Sequence, residues 1–410
     1  MTDDTTHGST GLTRRELIKT ASLASLATAF PGGLFAAGAS ERIRVGLVGC
    51  GGRGTGAAID CATASPDVVI TALADVFPDQ LEWALGRLKE KLAADRLAVT
   101  PETCYSGFEA YKKVLAAPVD LVILAAPPFF RPAHLAAAVE AGKHVFTEKP
   151  VAVDPTGVRS VIATSELAGR KRLALVAGQC YWNMGALWVE RASQNWANRS
   201  ARKWSDMEWQ IRNWLFTAWA SGDHIVEQHV HNLDVMNWAF GAHPVKCSGM
   251  GGRATRTDPM YGNIFDHFAV EYEYPNGARV LSMCRQTAGA AENVSERVIG
   301  ASGFSYTDSV DGYIKGGRPY ENEAASPNPY VQEHVDLIAS IKAGTPLNEG
   351  RQVAESTLTA IMGRMSAYTG RALGWDWVMN ASKLDLTPPH MEWKELPPLE
   401  VAVPGQTPLV

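Results

Sequence analysis

Between residues 43 and 150, short apolar runs alternate with segments of mixed polarity. The apolar runs have the length of strands and occupy residues 43–48, 68–75, 119–128 and 144–150. The intervening segments near Pro78 to Ala94 and Pro132 to Ala141 repeat their apolar residues at the spacing of a helix. Strands that alternate with helices predict a doubly wound parallel sheet.

After residue 150 the pattern changes. Residues 265–286 alternate apolar and polar positions on both sides of Asn276 and Gly277, which is a strong hairpin signal. Other predicted elements are helices at Pro155 to Ala168, Tyr330 to Ala343 and Gln352 to Thr369, a strand at 172–178 and a surface strap from Pro388. We therefore predict a C-terminal α+β domain with a large open, mostly antiparallel sheet. The predicted domain boundaries are 40–165, 166–395 and, for a surface tail, 396–410.

The first strand runs into the glycine-rich sequence VGCGGRG at 48–54. Gly49 permits a tight turn, Gly51 lets the backbone approach a pyrophosphate, and Gly54 lets the next helix lie close to the strand. Asp75 ends the second strand, where a carboxylate accepts ribose hydroxyls and repels a 2′-phosphate. An ordinary strand-to-helix turn is the alternative, but this context favours a Rossmann dinucleotide site with NAD preferred to NADP. The candidate cofactor-binding residues here are Gly49, Gly51, Gly52, Arg53, Gly54 and Asp75.

The composition narrows the possible functions. The 410 residues suffice for two domains, 46% are hydrophobic, and the formal net charge is −5. This charge gives no electrostatic reason to expect nucleic acid or an anionic membrane as a partner. Beyond the amino terminus, no segment has the eighteen apolar residues of a membrane span. The six cysteines lack C-x-x-C spacing, so we expect buried thiols, with one disulfide left open.

The amino terminus has the pattern of a twin-arginine export signal. Arg14 and Arg15 precede a moderately apolar run at 21–30 and small residues at 37–39. An amphipathic helix of the mature fold is the alternative, but it would not need paired arginines. We therefore predict a signal peptide at 1–39, the export machinery as a partner, and a periplasmic or secreted protein. Because such export moves folded proteins, a nicotinamide cofactor would travel bound and be restored within its own site.

Residues 221–241 are predicted to form one helix with two stripes. Val226, Val230, Leu233 and Phe240 form an apolar packing stripe. The second stripe carries ionisable side chains at helical spacing: Glu227, His231 and Asp234, with His224 on the same side. A zinc site built from His224, Glu227 and His231 is a rival interpretation, although no zincin motif or cysteine ligand supports it, and we predict no metal.

Three motifs together resemble one family. They are the glycine fingerprint, the Ala126-Pro127-Pro128 loop and the sequence Glu148-Lys149-Pro150, and they resemble the glucose-fructose oxidoreductase, inositol dehydrogenase and rhizopine-catabolism (Gfo/Idh/MocA) family. The resemblance implies that Lys149 lies between nicotinamide and substrate, and that Ala126, Pro127, Glu148 and Lys149 contact the cofactor. It also implies a homo-oligomer. Glu227, His231 and Asp234 match the spacing of an acid, a histidine and a further acid in the family.

The sequence departs from the family in three places. Glu227 stands where the family usually has Asp, and His229 where glycine is common. Gln179 continues directly into Cys180 and Tyr181, as though a helix were missing. Seven of the twelve tryptophans fall between 182 and 219, several at steps of five, which predicts a looping segment whose aromatic faces suit a sugar ring. The candidate substrate-binding residues are Tyr181, Arg212, Asn213, Trp214, His229 and Asp234.

The candidate catalytic residues are Lys149, His231 and Glu227. Oxidation of a secondary alcohol needs a base for the hydroxyl proton, which His231 would supply. Lys149 would stabilise the developing negative charge, and Glu227 would orient either partner or bind a neighbouring hydroxyl. These residues predict an NAD(P)-dependent oxidoreductase of sugars or polyols with a tightly held cofactor. A redox-neutral glycosidase resembling the family's NAD-dependent α-N-acetylgalactosaminidases and a non-catalytic sugar-binding relative are the alternatives.

Overall fold

The computed structural model describes residues 42–165, 177–185, 187–308, 311–317, 319–321, 327–345 and 347–410. The predicted export signal at 1–39 lies outside these ranges. So do the end of the helix predicted at Pro155 to Ala168 and most of the strand predicted at 172–178.

A five-stranded parallel sheet forms around the apolar run at 43–48, as predicted. Its order is β3-β2-β1-β4-β5. The strands are β1 (Ile43–Val48), β2 (Val68–Asp75), β3 (Cys104–Ser106), β4 (Leu121–Leu124) and β5 (His144–Thr147). The chain order reverses between β1 and β4, so a crevice opens at the carboxyl ends of these two strands. The prediction of a doubly wound sheet is therefore confirmed.

Helices lie beside this sheet, most of them where the glycine turn and the apolar spacing predicted them. They are α1 (Gly52–Ala64), α2 (Pro78–Lys91), α3 (Ala110–Ala116), α4 (Arg131–Glu140) and α5 (Pro155–Ser165), of which α3 is an additional helix that was not predicted. The apolar faces of α1 to α4 join the buried strand residues in two core clusters, one on each side of the sheet, whereas Val158 and Val161 of α5 belong to the core of the second sheet.

The second sheet has nine strands among the described residues, in the order β13-β12-β11-β10-β6-β9-β8-β7-β14. The strands are β6 (Ala177–Met184), β7 (Lys246–Gly252), β8 (His267–Glu273), β9 (Arg279–Gln286), β10 (Asn293–Gly300), β11 (Gly303–Asp308), β12 (Gly312–Gly316), β13 (Tyr320–Glu321) and β14 (Leu373–Gly374). Only β6 and β9 pair in parallel. The prediction of a mostly antiparallel sheet is confirmed, and β8 and β9 form the predicted hairpin, with Gly277 at φ +81°.

The remaining helices follow the order of the chain. They are α6 (Val189–Arg202), α7 (Asp206–Arg212), α8 (Ala218–Ser221), α9 (His224–Glu227), α10 (Val230–Phe240), α11 (Pro329–Lys342), α12 (Gly350–Thr369) and α13 (Trp375–Asn380). Helices α10 and α12 pack on the second sheet, where Leu233, Met236, Leu358 and Ile361 share a core with Tyr272. None of the helices in the described residues is long and apolar enough to cross a membrane.

Helix α11 packs on α1 and not on the second sheet. Its residues Leu337, Ile338 and Ile341 join the core cluster of the parallel sheet. This core therefore includes a segment that is distant from it along the chain, and a division into contiguous sequence ranges does not capture this packing.

The predicted loop between residues 182 and 219 is wrong, and so is the inferred loss of a helix after Gln179. Cys180 to Met184 extend strand β6, and helix α6 follows only a few residues later. Trp209 lies within α7, whereas Trp204 and Trp214 flank it. The tryptophans recur every five residues because they lie in and between successive short helices. The regular helical spacing is interrupted at each junction between these helices.

The carboxyl-terminal residues 381–410 contain no helix or strand, in line with the predicted strap. The segment 388–399, called the C-terminal strap below, contributes Met391, Leu396 and Leu399 to a small apolar cluster with Phe77 and Met207. All six cysteines are free thiols, and all but Cys104 are buried. The expectation of buried thiols therefore holds at those positions.

Candidate active site

The glycine turn after β1 is closed towards the protein and open towards the crevice. Gly49 has φ +97°, and a Cβ atom there would overlap the amide nitrogen of Ala126. A Cβ atom on Gly54 would overlap the carbonyl oxygen of Gly49. At Gly51 and Gly52 a Cβ atom would meet nothing within 4 Å. This shape fits a diphosphate that approaches the backbone amides at the start of α1.

Asp75 lies at the carboxyl end of β2, beside this turn. One carboxylate oxygen accepts the backbone N–H of Cys50 at 2.7 Å, and the other accepts that of Phe77 at 3.0 Å. Burial raises the pKa of Asp75, and these hydrogen bonds act against the rise. Each oxygen keeps a lone pair for a ribose hydroxyl. The adjoining crevice has a cavity volume of about 50 Å³ and is lined by Gly49, Asp75, Phe108, Ala126, Pro127 and Phe130 among others.

Arg53 and Glu148 form an ion pair at the edge of the crevice. Arg53 belongs to the first turn of α1, and Glu148 follows β5. Two more carboxylates face the same guanidinium, those of Asp60 at 3.4 Å and Glu333 at 3.3 Å. These interactions fix the chain immediately before Lys149.

Lys149 reaches from the parallel sheet to the end of α9. Its amine donates to the carbonyl oxygen of Glu227 at 2.6 Å and to the side-chain oxygen of Gln228 at 3.2 Å. Burial lowers the pKa of Lys149, the negative charge of Glu227 acts against this, and the positive charge of Arg131 adds to it. A cation at a helix carboxyl terminus is favoured by the helix dipole.

Arg131 was missed by the sequence reasoning. Its guanidinium is buried and donates to the carbonyl oxygen of Ala126 at 3.1 Å and to that of Pro150. Burial lowers the pKa of Arg131 to about 10. It therefore ties the loop after β4 to the loop after β5. The available signal was an arginine directly after the proline and aromatic residues at 127–130, at the strand edge that carries the other candidates.

The predicted single helix at 221–241 is wrong, because the structure divides it into α9 and α10. Gln228 leaves the helical conformation with φ −124° and ψ −54°. His229 is buried beside this break, with one ring nitrogen 2.7 Å from Ser282 Oγ and the other 3.1 Å from Asn232 Oδ1. The break turns Gln228 towards Lys149. The predicted packing stripe is buried as expected, at Val226, Val230, Leu233 and Phe240.

Glu227 and His231 lie on the two sides of this break. Glu227 is 6% exposed, and burial raises the pKa of its carboxyl while the charges of Lys149 and His224 act in the opposite direction. The His231 side chain is exposed to solvent, and neighbouring protein desolvates part of its ring. This environment and the charge of Lys149 lower the pKa of His231 to about 3. The Lys149 amine therefore lies at the break between the helices that carry Glu227 and His231.

Several predicted substrate-binding residues use their polar groups within the protein. Arg212 makes two hydrogen bonds with Asp79, at 3.0 and 3.1 Å, and lies 3.8 Å from the centre of the Phe77 ring. Asn213 is buried and donates to the carbonyl oxygen of Met260 at 2.9 Å. Arg212 and Asn213 therefore stabilise the packing around α7, and the proposed site does not include them.

The other four predicted substrate-binding residues also have contacts of their own. His229 is fully buried beside the second sheet, and Asp234 accepts a hydrogen bond from Ser356 Oγ at 2.6 Å. Trp214 packs against two small apolar clusters. Cys180 Sγ is 3.9 Å from His229, so Tyr181, the next residue on β6, points to the opposite face of the sheet.

A metal site is not supported. Among the described residues, no group of three or more His, Cys, Asp or Glu side chains is placed to hold a metal ion. The rival zinc interpretation assumed that His224, Glu227 and His231 share one helix face, and the break after α9 removes that geometry.

Two family models match this chain. Residues 43–175 match the oxidoreductase family with an NAD-binding Rossmann fold, and residues 195–304 match the GFO/IDH/MocA C-terminal domain. The chain belongs to the Gfo/Idh/MocA oxidoreductase family. Membership accounts for the parallel sheet, the second sheet and the glycine turn together.

Two curated relatives are similar over part of their length. The 2,7-anhydro-N-acetylneuraminate hydratase of Escherichia coli (strain K12) is 25% identical over 210 residues, which are 47% of this chain and 52% of that protein. A glycosyl hydrolase family 109 protein of Streptomyces coelicolor is 29% identical over 158 residues, which are 38% of this chain and 32% of that protein. The chain thus spans about half or less of the length of these relatives.

Solved structures share the fold over most of their length. Aldose-aldose oxidoreductase from Caulobacter crescentus, complexed with glycerol, has a TM-score of 0.61 at 18% identity and covers 82% of this chain and all of its own. Levoglucosan dehydrogenase in complex with NADH and levoglucosan has a TM-score of 0.61 at 14% identity, with 82% and 99% covered. At these identities the similarity establishes the fold.

Two glycine substitutions should separate folding from nucleotide binding. Gly54→Ala places a methyl group against the backbone of Gly49 and should destabilise the protein by about 1–3 kcal/mol or more. Gly51→Ala has free space and should melt like the wild type, while nucleotide binding weakens on the order of tenfold. Thermal denaturation and NADH fluorescence titration measure the two effects. Equal loss of stability in both variants would contradict the geometry of the turn.

Removal of the Lys149 charge should change the titration of His231. A positive charge disfavours the imidazolium ion, so the pKa of His231 should rise in Lys149→Ala and stay below its ordinary value because the partial desolvation by neighbouring protein remains. Lys149→Arg keeps the charge and should leave the pKa low. NMR titration of the His231 ring resonances measures this. An unchanged pKa in Lys149→Ala would mean that the two groups are not neighbours.

Proposed function

We propose that this protein is an NAD-dependent enzyme that acts on a secondary hydroxyl of a sugar or polyol. The main support is the position of the Lys149 amine, which donates to the carbonyl oxygen of Glu227 and to the side chain of Gln228, three residues before His231. Lys149 directly follows Glu148, which pairs with Arg53 in the first turn of α1. A hydrogen-bond donor and a proton acceptor thus lie together at the end of a crevice that fits a dinucleotide.

The residues of the chain would divide the chemistry between them. His231 is neutral at pH 7 and can accept the hydroxyl proton, while Lys149 donates a hydrogen bond to the same oxygen. As negative charge develops on that oxygen, it offsets the charge of Lys149, and the imidazole becomes a stronger base at that moment. Glu227 would orient the amine or bind a neighbouring hydroxyl.

NAD is the cofactor that the crevice favours. When bound, the nicotinamide would accept a hydride and return it. Asp75 presents carboxylate oxygens where the adenosine ribose would lie, and a 2′-phosphate there would be repelled. The fold alone fits NADP equally well, so this preference rests on Asp75.

The cofactor would be tightly held, because the C-terminal strap is bound beside the crevice. Trp393 of the strap stacks on Phe77 at 5.4 Å and lies 4.8 Å from Phe108, which lines the crevice. The strap also bonds to α7, whose Met207 N–H donates to the carbonyl oxygen of Lys394 at 3.2 Å. The hydrogen bonds between Arg212 and Asp79 join α7 to α2 on the same side.

A second candidate function is a redox-neutral conversion of a glycoside or anhydro sugar. The names of both curated relatives state such a reaction, because neither hydration nor glycoside hydrolysis changes the net oxidation state of the substrate. A tightly held cofactor suits this function, since its oxidation state would be restored within each turnover.

We also propose that the protein is exported by the twin-arginine route. The sequence of residues 1–39 supports this proposal, and cell fractionation would test it.

A substrate panel separates the two functions. Purified protein without added cofactor is incubated with free sugars, polyols, nitrophenyl glycosides and anhydro sugars. A lasting rise in absorbance at 340 nm with a free sugar or polyol supports the oxidoreductase. Release of nitrophenol or opening of an anhydro sugar without net NADH supports the redox-neutral enzyme. Binding of sugars with no turnover in any assay would contradict both and leave a sugar-binding protein.

Substitution of the candidate catalytic residues tests the site itself. Lys149→Ala and His231→Ala should each lower turnover roughly 10²–10⁴-fold, because each removes a group that contacts the reacting oxygen. Lys112, an exposed lysine on α3, provides the matched control Lys112→Ala, which should have normal activity. Normal rates in both site variants would rule out the proposed roles.

Weakening the strap should release the cofactor. Trp393→Ala removes the ring that packs on Phe77 and Phe108, and we expect NAD to dissociate about tenfold faster or more. NAD retained after prolonged dialysis is measured enzymatically in the supernatant of denatured protein. Trp83→Ala changes an exposed tryptophan on α2 and should retain NAD like the wild type. Equal retention in both variants would show that the strap does not hold the cofactor.

A further inference from the structure

Asp223 and His224 form a buried pair at the start of α9, the short helix that ends at Glu227, and the proposed chemistry does not use this pair. Asp223 has φ +70° and ψ 163°, a backbone conformation that is almost confined to glycine. Its side chain is fully buried and that of His224 nearly so. Such conformations persist only where the surroundings enforce them, and they cluster at functional sites.

Four hydrogen bonds converge on the carboxylate of Asp223. They come from the backbone N–H of His224 at 2.6 Å, His224 Nδ1 at 3.0 Å, the backbone N–H of Phe265 at 2.7 Å and the Tyr368 hydroxyl at 2.6 Å. The backbone on either side is also held, since Arg364 donates to the carbonyl oxygen of Gly222 at 3.0 Å. The unusual conformation is therefore fixed by contacts from Phe265 just before β8, from α12 and from α9.

These contacts leave one atom of His224 without a partner. Because a carboxylate only accepts hydrogen bonds, Nδ1 of His224 carries the proton that faces Asp223. The other ring nitrogen, Nε2, is shielded from solvent and has no hydrogen-bond partner among the described residues. A buried polar atom that is unpaired in this way calls for a ligand or a water molecule.

Glu227 is a candidate for that partner. It lies three residues after His224 on the same helical turn, so the two side chains are neighbours on the helix surface. The charge of His224 acts on the pKa of Glu227, although the two make no direct ion pair. The ionisable groups that face Glu227 from all sides are Lys149, Arg131, Asp223, His224, Arg256 and Cys284.

We propose that Asp223 and His224 are a positioning pair for Glu227, in which Asp223 fixes the imidazole and Nε2 of His224 binds the Glu227 carboxyl through one water molecule. The pair holds the carboxyl in one orientation and supports its ionised form beside Lys149. Its effect on turnover rests on the proposed function, whereas its effect on the ionisation of Glu227 does not.

The ionisation of Glu227 can be followed without substrate. Infrared difference spectra are recorded across a pH titration, and the variant Glu227→Gln identifies the carboxyl band. In His224→Phe the midpoint for Glu227 should rise by about one pH unit or more, because a group that favours the ionised form is lost. His224→Gln keeps a polar group near the position of Nε2 that can bind the same water molecule, and it should restore most of the wild-type midpoint.

The matched control is another buried histidine with unpaired ring nitrogens. His334 of α11 packs on Phe146 in the core of the parallel sheet, and His334→Phe should leave the Glu227 midpoint unchanged. If His224→Phe does not fold, Tyr368→Phe removes one of the four hydrogen bonds to Asp223 and should give a smaller shift in the same direction. An unchanged midpoint in His224→Phe, or in Tyr368→Phe where that variant replaces it, overturns the proposal.

Activity provides the second readout. With an active substrate, His224→Phe should lower kcat about 10–100-fold with little change in KM, and His224→Gln should recover most of it. If no sugar is turned over but the Glu227 midpoint shifts as expected, the proposed function fails and the positioning pair stands. If turnover is found and the midpoint does not move, the pair is wrong and the proposed function stands.

Discussion

The contact between the Lys149 amine and the end of α9 is the interaction on which the candidate site depends. The amine leaves the parallel sheet at β5 and binds the Glu227 carbonyl and the Gln228 side chain, which belong to the helical layer of the second sheet. A buried ammonium group must be paired, and a helix carboxyl terminus offers the unpaired carbonyls that suit it. This requirement places Lys149, which follows strand β5, beside Glu227 and Gln228 at the end of α9.

The break between α9 and α10 also positions the residues around the Lys149 amine. A continuous helix would have kept Gln228 in regular conformation and placed Glu227 and His231 on one straight stripe. Buried hydrogen bonds of His229 to Ser282 and Asn232 hold the chain at the break, while those of Asp223 hold its start. The ionisable residues therefore surround the amine and do not lie in a row beside it.

Charge balance along the crevice depends on residues that are distant in sequence. Arg53 pairs with Glu148, Arg131 binds the backbone of both loops, and Lys149 lies between these cations and Glu227. Loss of one member of this partly buried ionic network leaves a charge less well compensated, which destabilises the protein by more than the net gain from the pair. Substitutions here should thus affect stability as well as chemistry, and conservative variants are the informative ones.

The sequence by itself determined the elements whose signals are local. The order of strands and helices around the parallel sheet, the glycine turn with Asp75, the hairpin at Asn276 and Gly277, and the lysine at the end of β5 all follow from short patterns. Each depends on backbone conformation or side-chain alternation over a few residues. Only the tertiary structure decided that α11 returns to the first core, that the tryptophan-rich segment is helical, and that Arg212, Asn213 and His229 bond within the protein. It also decided where the long stripe of ionisable residues breaks. These features arise because buried polar groups select partners across the fold, and such pairing leaves no periodic trace along the chain.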